Sequence, residues 1–354
     1  MAMSTSSSVA SAARGAATCV ALGTAVASLR ARRPSPPSAL FSALAAGCGI
    51  FRLFQAPSPR VAAGLAAVAF FRLISDAHKH IVLSYALVES ALQVYALCPA
   101  SALVEHATSV AVTSRLMYIY LFRCEWILPS QLKMLDYQSC LPPEILSATR
   151  HEIRTGHGSR CDSFHPNKSC AAFLRDESAK HLVSGAKIFL PIHLASALLA
   201  WKQRPLDVRK HVVDYVRSIL FLSGNYVFPY LFSCLVPIAN HRIAIALATL
   251  TPYLAQYFEP AKRRLTIRKA VASYSLITVF YQLKEYNICG QLKRSHVLSA
   301  ATVLYAACMV WLLEHPEKQN RWLMYGLYGR DVRPPKPPKT NHEDNNNDKC
   351  QAAR

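Results

Sequence analysis

The sequence predicts an all-α fold, a polytopic membrane bundle of about ten apolar helices built as two repeats of roughly five. Three observations predict it. The chain is 52% hydrophobic and only 17% charged, and the charges gather between apolar runs. Four or five of those runs are apolar on every face, where a soluble helical domain would show one stripe. The apolar pattern is also written twice, at an offset of roughly 180–190 residues, the way many membrane folds are duplicated. Ser38-Ala-Leu-Phe-Ser-Ala-Leu44 aligns with Ser218-Ile-Leu-Phe-Leu-Ser-Gly224, and Val61-Ala-Ala-Gly-Leu-Ala-Ala67 with Ile243-Ala-Ile-Ala-Leu-Ala-Thr249.

In chain order the expected spans are 16–29, 37–54, 61–74, 81–97, 103–122, 182–201, 212–236, 243–258, 270–283 and 297–313. Several fall short of the ~20 apolar residues that cross a bilayer comfortably, so they read as re-entrant, tilted or buried among neighbours. The first acidic residue is Asp76. The acid-free, Ser/Ala/Arg-rich stretch 8–33 reads either as a first helix flanked by Arg30, Arg32 and Arg33 or as a cleaved organelle leader. Its counterpart at the head of the second block favours the helix. The expected organisation is a first helical block at 1–135, a soluble His/Cys/Pro-containing loop at 136–180, a second block at 181–329 and a disordered tail at 330–354. In the tail, Arg333-Pro-Pro-Lys-Pro-Pro-Lys339 favours extended polyproline geometry and precedes an Asn-rich run.

The net charge of +20 raises nucleic acid as a partner. Most Lys and Arg residues sit in short loops between apolar runs, without an aromatic platform or a nucleic-acid motif, so the lipid bilayer with anionic headgroups is the expected partner and nucleic acid is not. The eleven cysteines are scattered, several inside apolar runs, which excludes a secreted disulfide scaffold. No phosphate-binding Gly-rich loop or Gly-x-Ser-x-Gly elbow occurs, and His151-Glu152 meets Thr155 where a zinc protease needs His. No catalytic residue or bound organic cofactor is expected.

Two residue sets carry chemistry. His157, Cys161, His165 and Cys170 have types that wrap zinc tetrahedrally, although they are evenly spread rather than grouped as two pairs. They read as a structural zinc site or as a polar loop at a helix entrance. The second set is polar groups within apolar runs, where an unpaired charge is costly: Glu89, Arg115, Lys187, His193, Asp214, Arg217 and Asn225. Asp214 and Arg217, three apart, share a helix face and can pair. Gly224, Asn225 and Pro229 predict a kinked or broken helix. The set reads either as interhelical pairing or as a polar path lined by Glu89 and Lys187 for a lipid or small solute.

The succession His165-Pro-Asn-Lys-Ser-Cys170, Gly185-Ala-Lys-Ile-Phe-Leu-Pro-Ile-His-Leu194, Lys202-Gln-Arg204, the Ser218 run to Cys234, and Lys262-Arg-Arg264 resembles the N-terminal half of the transmembrane protein 135 family. Lys187 and Pro191 take the basic and proline positions, and the likeness covers about residues 161–287. The first block is similar to the other half of that duplicated family. The resemblance implies a multi-pass protein of mitochondrial or peroxisomal membranes, acting in organelle division and lipid homeostasis with protein partners of division, and without enzymatic activity.

Overall fold

The computed structural model describes residues 5–97, 102–155, 161, 164–201, 207–236, 238, 240–288, 292–319, 321–328 and 332. His157 and, apart from Val332, the expected tail at 330–354 lie outside them. Every regular element among the described residues is helical. The α-helices are α1 (Thr5–Ala31), α2 (Ala39–Phe54), α3 (Pro59–Leu73), α4 (Asp76–Leu97), α5 (Ala102–Phe122), α6 (Pro129–Gln138), α7 (Pro143–Thr155), α8 (Cys170–Trp201), α9 (Val208–Leu235), α10 (His241–Ala248), α11 (Pro252–Ala255), α12 (Ala261–Glu285), α13 (Arg294–Leu313) and α14 (Arg321–Tyr328).

Local chemistry sets these boundaries. Ser58 accepts from the Val61 amide and Pro59 opens α3, while Asp207 and Asn240 cap α9 and α10 through the Lys210 and Ile243 amides. Arg32 and Asn287 adopt positive φ, 53° each. Behind them Arg33 N–H donates to Ser28 O, and Ile288 and Asn287 N–H donate to Leu283 O and Lys284 O. This left-handed closure ends α1 and α12 and satisfies the Ser28, Leu283 and Lys284 carbonyls.

Five helices are long and apolar enough to cross a membrane: Ser8–Ala31, Asp76–Leu97, Cys170–Leu198, Val208–Leu235 and Arg294–Leu313. The other five expected spans differ for identifiable reasons. The 16-residue α2 and 15-residue α3 are too short. Glu105, His106 and Arg115 dilute α5, and Lys262, Arg263, Arg264, Arg268 and Lys269 load the start of α12. The run at 243–258 breaks into α10, α11 and a 3₁₀ turn at Gln256–Phe258, because Pro252 cannot donate a helical hydrogen bond and instead starts a new element. The segment expected as a loop at 136–180 is largely helical, holding the end of α6, all of α7 and the first turns of α8. Pro142 and Pro143 sit at the start of α7, where a missing N–H costs nothing, and Pro166 sits in the turn ahead of α8.

The chain forms two compact units. One comprises Met1–Ser75 and Ser299–Arg354. There α1, α2 and α3 pack consecutively through small residues: a Cβ on Gly23 would lie 2.5 Å from Phe41 Cβ, and one on Gly47 3.4 Å from Phe70 Cβ. Ala62, Ala63, Ala66, Ala67, Phe70 and Phe71 bury one face of α3 at helical spacing. Tyr305 stacks on Phe71 with ring centroids 4.9 Å apart. The Arg52 guanidinium donates to Ser11 O, Tyr325 O, Gly326 O and Leu327 O, tying α1 and the end of α14 to α2.

The second unit is Asp76–Leu298. Its core joins Ile119–Phe122 of α5, Trp126, Leu146 and Ile153 of α7, Phe164, Phe173 of α8, and Tyr226 and Tyr230 of α9. Every candidate functional residue considered below belongs to this unit.

Candidate functional site

The α8–α9 hairpin organises the candidate chemistry. Gly185 lets the helices approach: a Cβ there would stand 3.3 Å from Ile219 Cγ2. Tyr215 donates to Ala186 O at 3.1 Å, and His181 stacks on Tyr226 with centroids 5.1 Å apart. Residues 181 and 226 therefore face each other at one level and 193 and 218 at another, an antiparallel pair. Cys170 opens α8 at the same end of the hairpin at which Cys234 closes α9.

The structure brings two of the expected intramembrane polar residues together. His193 Nε2 lies 3.3 Å from Ser218 Oγ, and Ser218 accepts from Arg263 at 3.1 Å. The same guanidinium pairs with Asp214 at 3.4 Å and with the buried Glu259 at 3.4 Å. Arg263 thus takes the partnership expected for Arg217, which is exposed. Asp214 points toward α12, whereas Arg217 projects outward from the hairpin. This network places the charges of the α9 entrance beside the apolar half of α8, where an unpaired carboxylate would be costly.

Glu89 and Arg115 lie elsewhere in the unit. Glu89 accepts from Lys269 Nζ at 2.7 Å, joining α4 to α12. Arg115 donates to Gln282 Oε1 at 2.7 Å, joining α5 to α12. Asn225 makes no break: α9 runs continuously from Val208 to Leu235, with Pro229 inside it. Pro229 has no N–H for the Asn225 carbonyl, while the Asn225 side-chain amide donates back to Phe221 O at 2.8 Å. Gly224 serves packing instead, since a Cβ there would lie 3.0 Å from Ala255.

Lys187 stands apart. It is exposed, makes no ion pair among the described residues, and lines an open cleft of about 520 Å³ with Tyr137, Cys140, Ala179, Lys180, Val183 and Ser184. Pro191 removes the helical partner of the Lys187 carbonyl, leaving that acceptor unused by the helix. Lys180 at the rim is held by the buried Glu177 at 2.6 Å. Burial pushes the Cys140 thiol above its ordinary value, against a Ser184 hydrogen bond that lowers it. The cleft can receive an anionic group at Lys187 with an apolar tail beside Val183.

Of the expected metal set, Cys161, His165 and Cys170 converge, their donor atoms all within 4.8 Å of one another, a cluster able to hold a metal ion. The helix start at Cys170 and the turn through Pro166 and Asn167, whose φ is 67°, fold this segment back on itself. His165 is buried against Phe173, with ring centroids 4.7 Å apart.

Sequence reasoning missed Arg263, Lys269 and Cys234, and also a His106, Tyr253 and Tyr257 cluster in which Tyr257 and Tyr253 hydroxyls are 2.9 Å apart and both reach His106. Burial, followed by the Tyr257 hydrogen bond, pushes the Tyr253 hydroxyl up to about 12. The basic string at 262–264 was visible; its acidic partners were not. No protein-family model, curated protein or solved structure matches the chain.

Proposed function

We propose that this chain is a non-enzymatic, multi-pass organelle-membrane protein of the transmembrane protein 135 type, acting in mitochondrial or peroxisomal membrane organisation and lipid homeostasis. The observation that carries the reading is the α8–α9 hairpin. Its outer face exposes Leu190, Ile192, Leu194, Val212, Val216 and Leu231, while His193, Asp214 and Ser218 close on Arg263. Apolar groups outward and neutralised polar groups inward suit a lipid surrounding. Duplicated blocks and additional short helices then form the rest of the bundle, with division-machinery proteins as partners.

The test is extraction and localisation. Tagged protein should resist alkaline carbonate, colocalise with mitochondrial or peroxisomal markers, and alter organelle length and neutral-lipid content when depleted. Release by carbonate, or labelling confined to another compartment, refutes the reading.

A second reading is favoured by the cleft at Lys187: a lipid or small solute passes or docks there. Glu89 does not line that cleft, so the polar path rests on Lys187. Lys187→Met should abolish transfer of an anionic phospholipid between vesicles while leaving abundance unchanged, and Glu89→Gln should lower abundance. Unchanged transfer by Lys187→Met eliminates this second reading.

A further inference from the structure

The converged Cys161, His165 and Cys170 provide three donors, and the imidazole faces a candidate fourth. His165 Nδ1 lies 2.9 Å from the Lys168 carbonyl oxygen, which only accepts. Nδ1 therefore carries the proton and donates, and the Nε2 lone pair is left as the ligand, the usual division of labour at a metal-binding histidine. Nε2 faces the Cys234 sulfur at 3.6 Å, across 69 residues of sequence. Cys161 Sγ and Cys170 Sγ are 3.5 Å apart.

Two of the six edges of such a site, His165 Nε2–Cys234 Sγ and Cys161 Sγ–Cys170 Sγ, are close to those of a tetrahedron around zinc. Zn–S bonds of ~2.3 Å give a sulfur–sulfur edge of about 3.8 Å, and a Zn–N bond of ~2.05 Å gives a nitrogen–sulfur edge of about 3.6 Å. Thiolate and imidazole donors in this geometry select zinc over harder cations. We propose that Cys161, His165 Nε2, Cys170 and Cys234 form a Cys₃His structural zinc site, with Cys234 in the place the even spacing assigned to His157. Four protein ligands close the coordination sphere, so the site is structural and leaves no open position for catalysis. Loading converts three thiols and Zn²⁺ into three bound thiolates and three released protons.

The consequence is architectural. Zinc there clamps the first residue of α8, the last turn of α9 and the segment ahead of α8 at one end of the hairpin. Phe164, Phe173 and Tyr230 wall that end with apolar rings, the shielding a structural thiolate site requires.

The experiment uses the full chain, purified in detergent without chelator and measured for zinc by elemental mass spectrometry. Wild type should carry one zinc per chain, and His157→Ala should match it. Cys161→Ser, Cys170→Ser, Cys234→Ser and His165→Ala should each lose most of it. Because a ligand variant can misfold, wild type and Cys234→His are also stripped and reloaded with Co²⁺ alone. Both should give tetrahedral d–d absorption, with weaker sulfur-to-cobalt charge transfer in Cys234→His. Zinc retained by Cys234→Ser, zinc lost in His157→Ala, or metal-free protein with a Cys161–Cys170 disulfide by mass would each overturn the proposal.

Discussion

Neutralising Glu89 tests whether the charges in the apolar helices sit in lipid or in water. The Glu89–Lys269 pair is 2.7 Å long, with side chains 31% and 30% exposed. At an effective dielectric of ~20 the attraction alone is about 6 kcal/mol, most of it offset by desolvation. If water bathes the exposed third, the net coupling falls below about 1 kcal/mol, as for surface pairs. If lipid does, removing one partner strands a charge, and the coupling rises to about 2–4 kcal/mol. The measurement is a double-mutant cycle of Glu89→Gln, Lys269→Met and the pair together, followed by thermal unfolding in lipid nanodiscs. Each single change should lower the Tm by roughly 5–15 °C, using about 2–4 °C per kcal/mol for a unit of this size. The double variant should recover most of that loss. A coupling under about 1 kcal/mol would refute the placement of Glu89 within the membrane.

Gly23→Leu should separate α1 from α2, because even a Cβ meets Phe41 at 2.5 Å and Pro37 at 2.9 Å; a loss of about 1–3 kcal/mol is expected from overpacking, seen as a lower Tm and faster proteolysis between the two helices. Arg52→Ala removes donors from Ser11, Tyr325, Gly326 and Leu327 carbonyls, so the C-terminal end should become the first site of limited proteolysis, with the α8–α9 hairpin unaffected. Burial raises the Cys140 thiol, so its alkylation should need higher pH than an ordinary thiol at about 8.5. The sign for stability follows: the raised folded value favours the protonated thiol, so its contribution is whole below the unfolded value and is lost as pH rises through the folded one. Alkylation of Cys140 at the midpoint of an exposed thiol would contradict this placement.

Legibility in the sequence followed the range of the interaction. The run at 212–236 reported its own helix because its apolar residues outweigh Asp214, Arg217, Gly224, Asn225 and Pro229, and one helix runs through all five. The run at 243–258 had nearly the same composition but hid three short elements, since a window average does not register what Pro252 does to the hydrogen-bond ladder. At the candidate sites, the residue types were visible and their partners were not. Asp214 and Arg217 are neighbours on one helix, so local spacing proposed a pair; the actual partner, Arg263, is delivered by another helix. Lys269 lies 180 residues from Glu89 and Cys234 lies 69 from His165, separations at which spacing carries no signal.

The partner assignments also change what the polar residues say about function. Had Glu89, Arg115, Asp214 and Lys187 all been unpaired and convergent, a continuous polar path would follow. Instead the first three are each spent on a group of α12: Lys269, Gln282 and Arg263. A helix whose polar side chains bind three others is a central strut, and its buried Ser273 and Thr278 turn their hydroxyls back onto Lys269 and Ser275 carbonyls, leaving small, satisfied contact surfaces. Lys187 makes no such ion pair, and the cleft beside it is open. The polar residues of the unit therefore divide by partner: Glu89, Arg115 and Asp214 are bound to α12, whereas Lys187 and Arg217 are exposed and make no ion pair among the described residues.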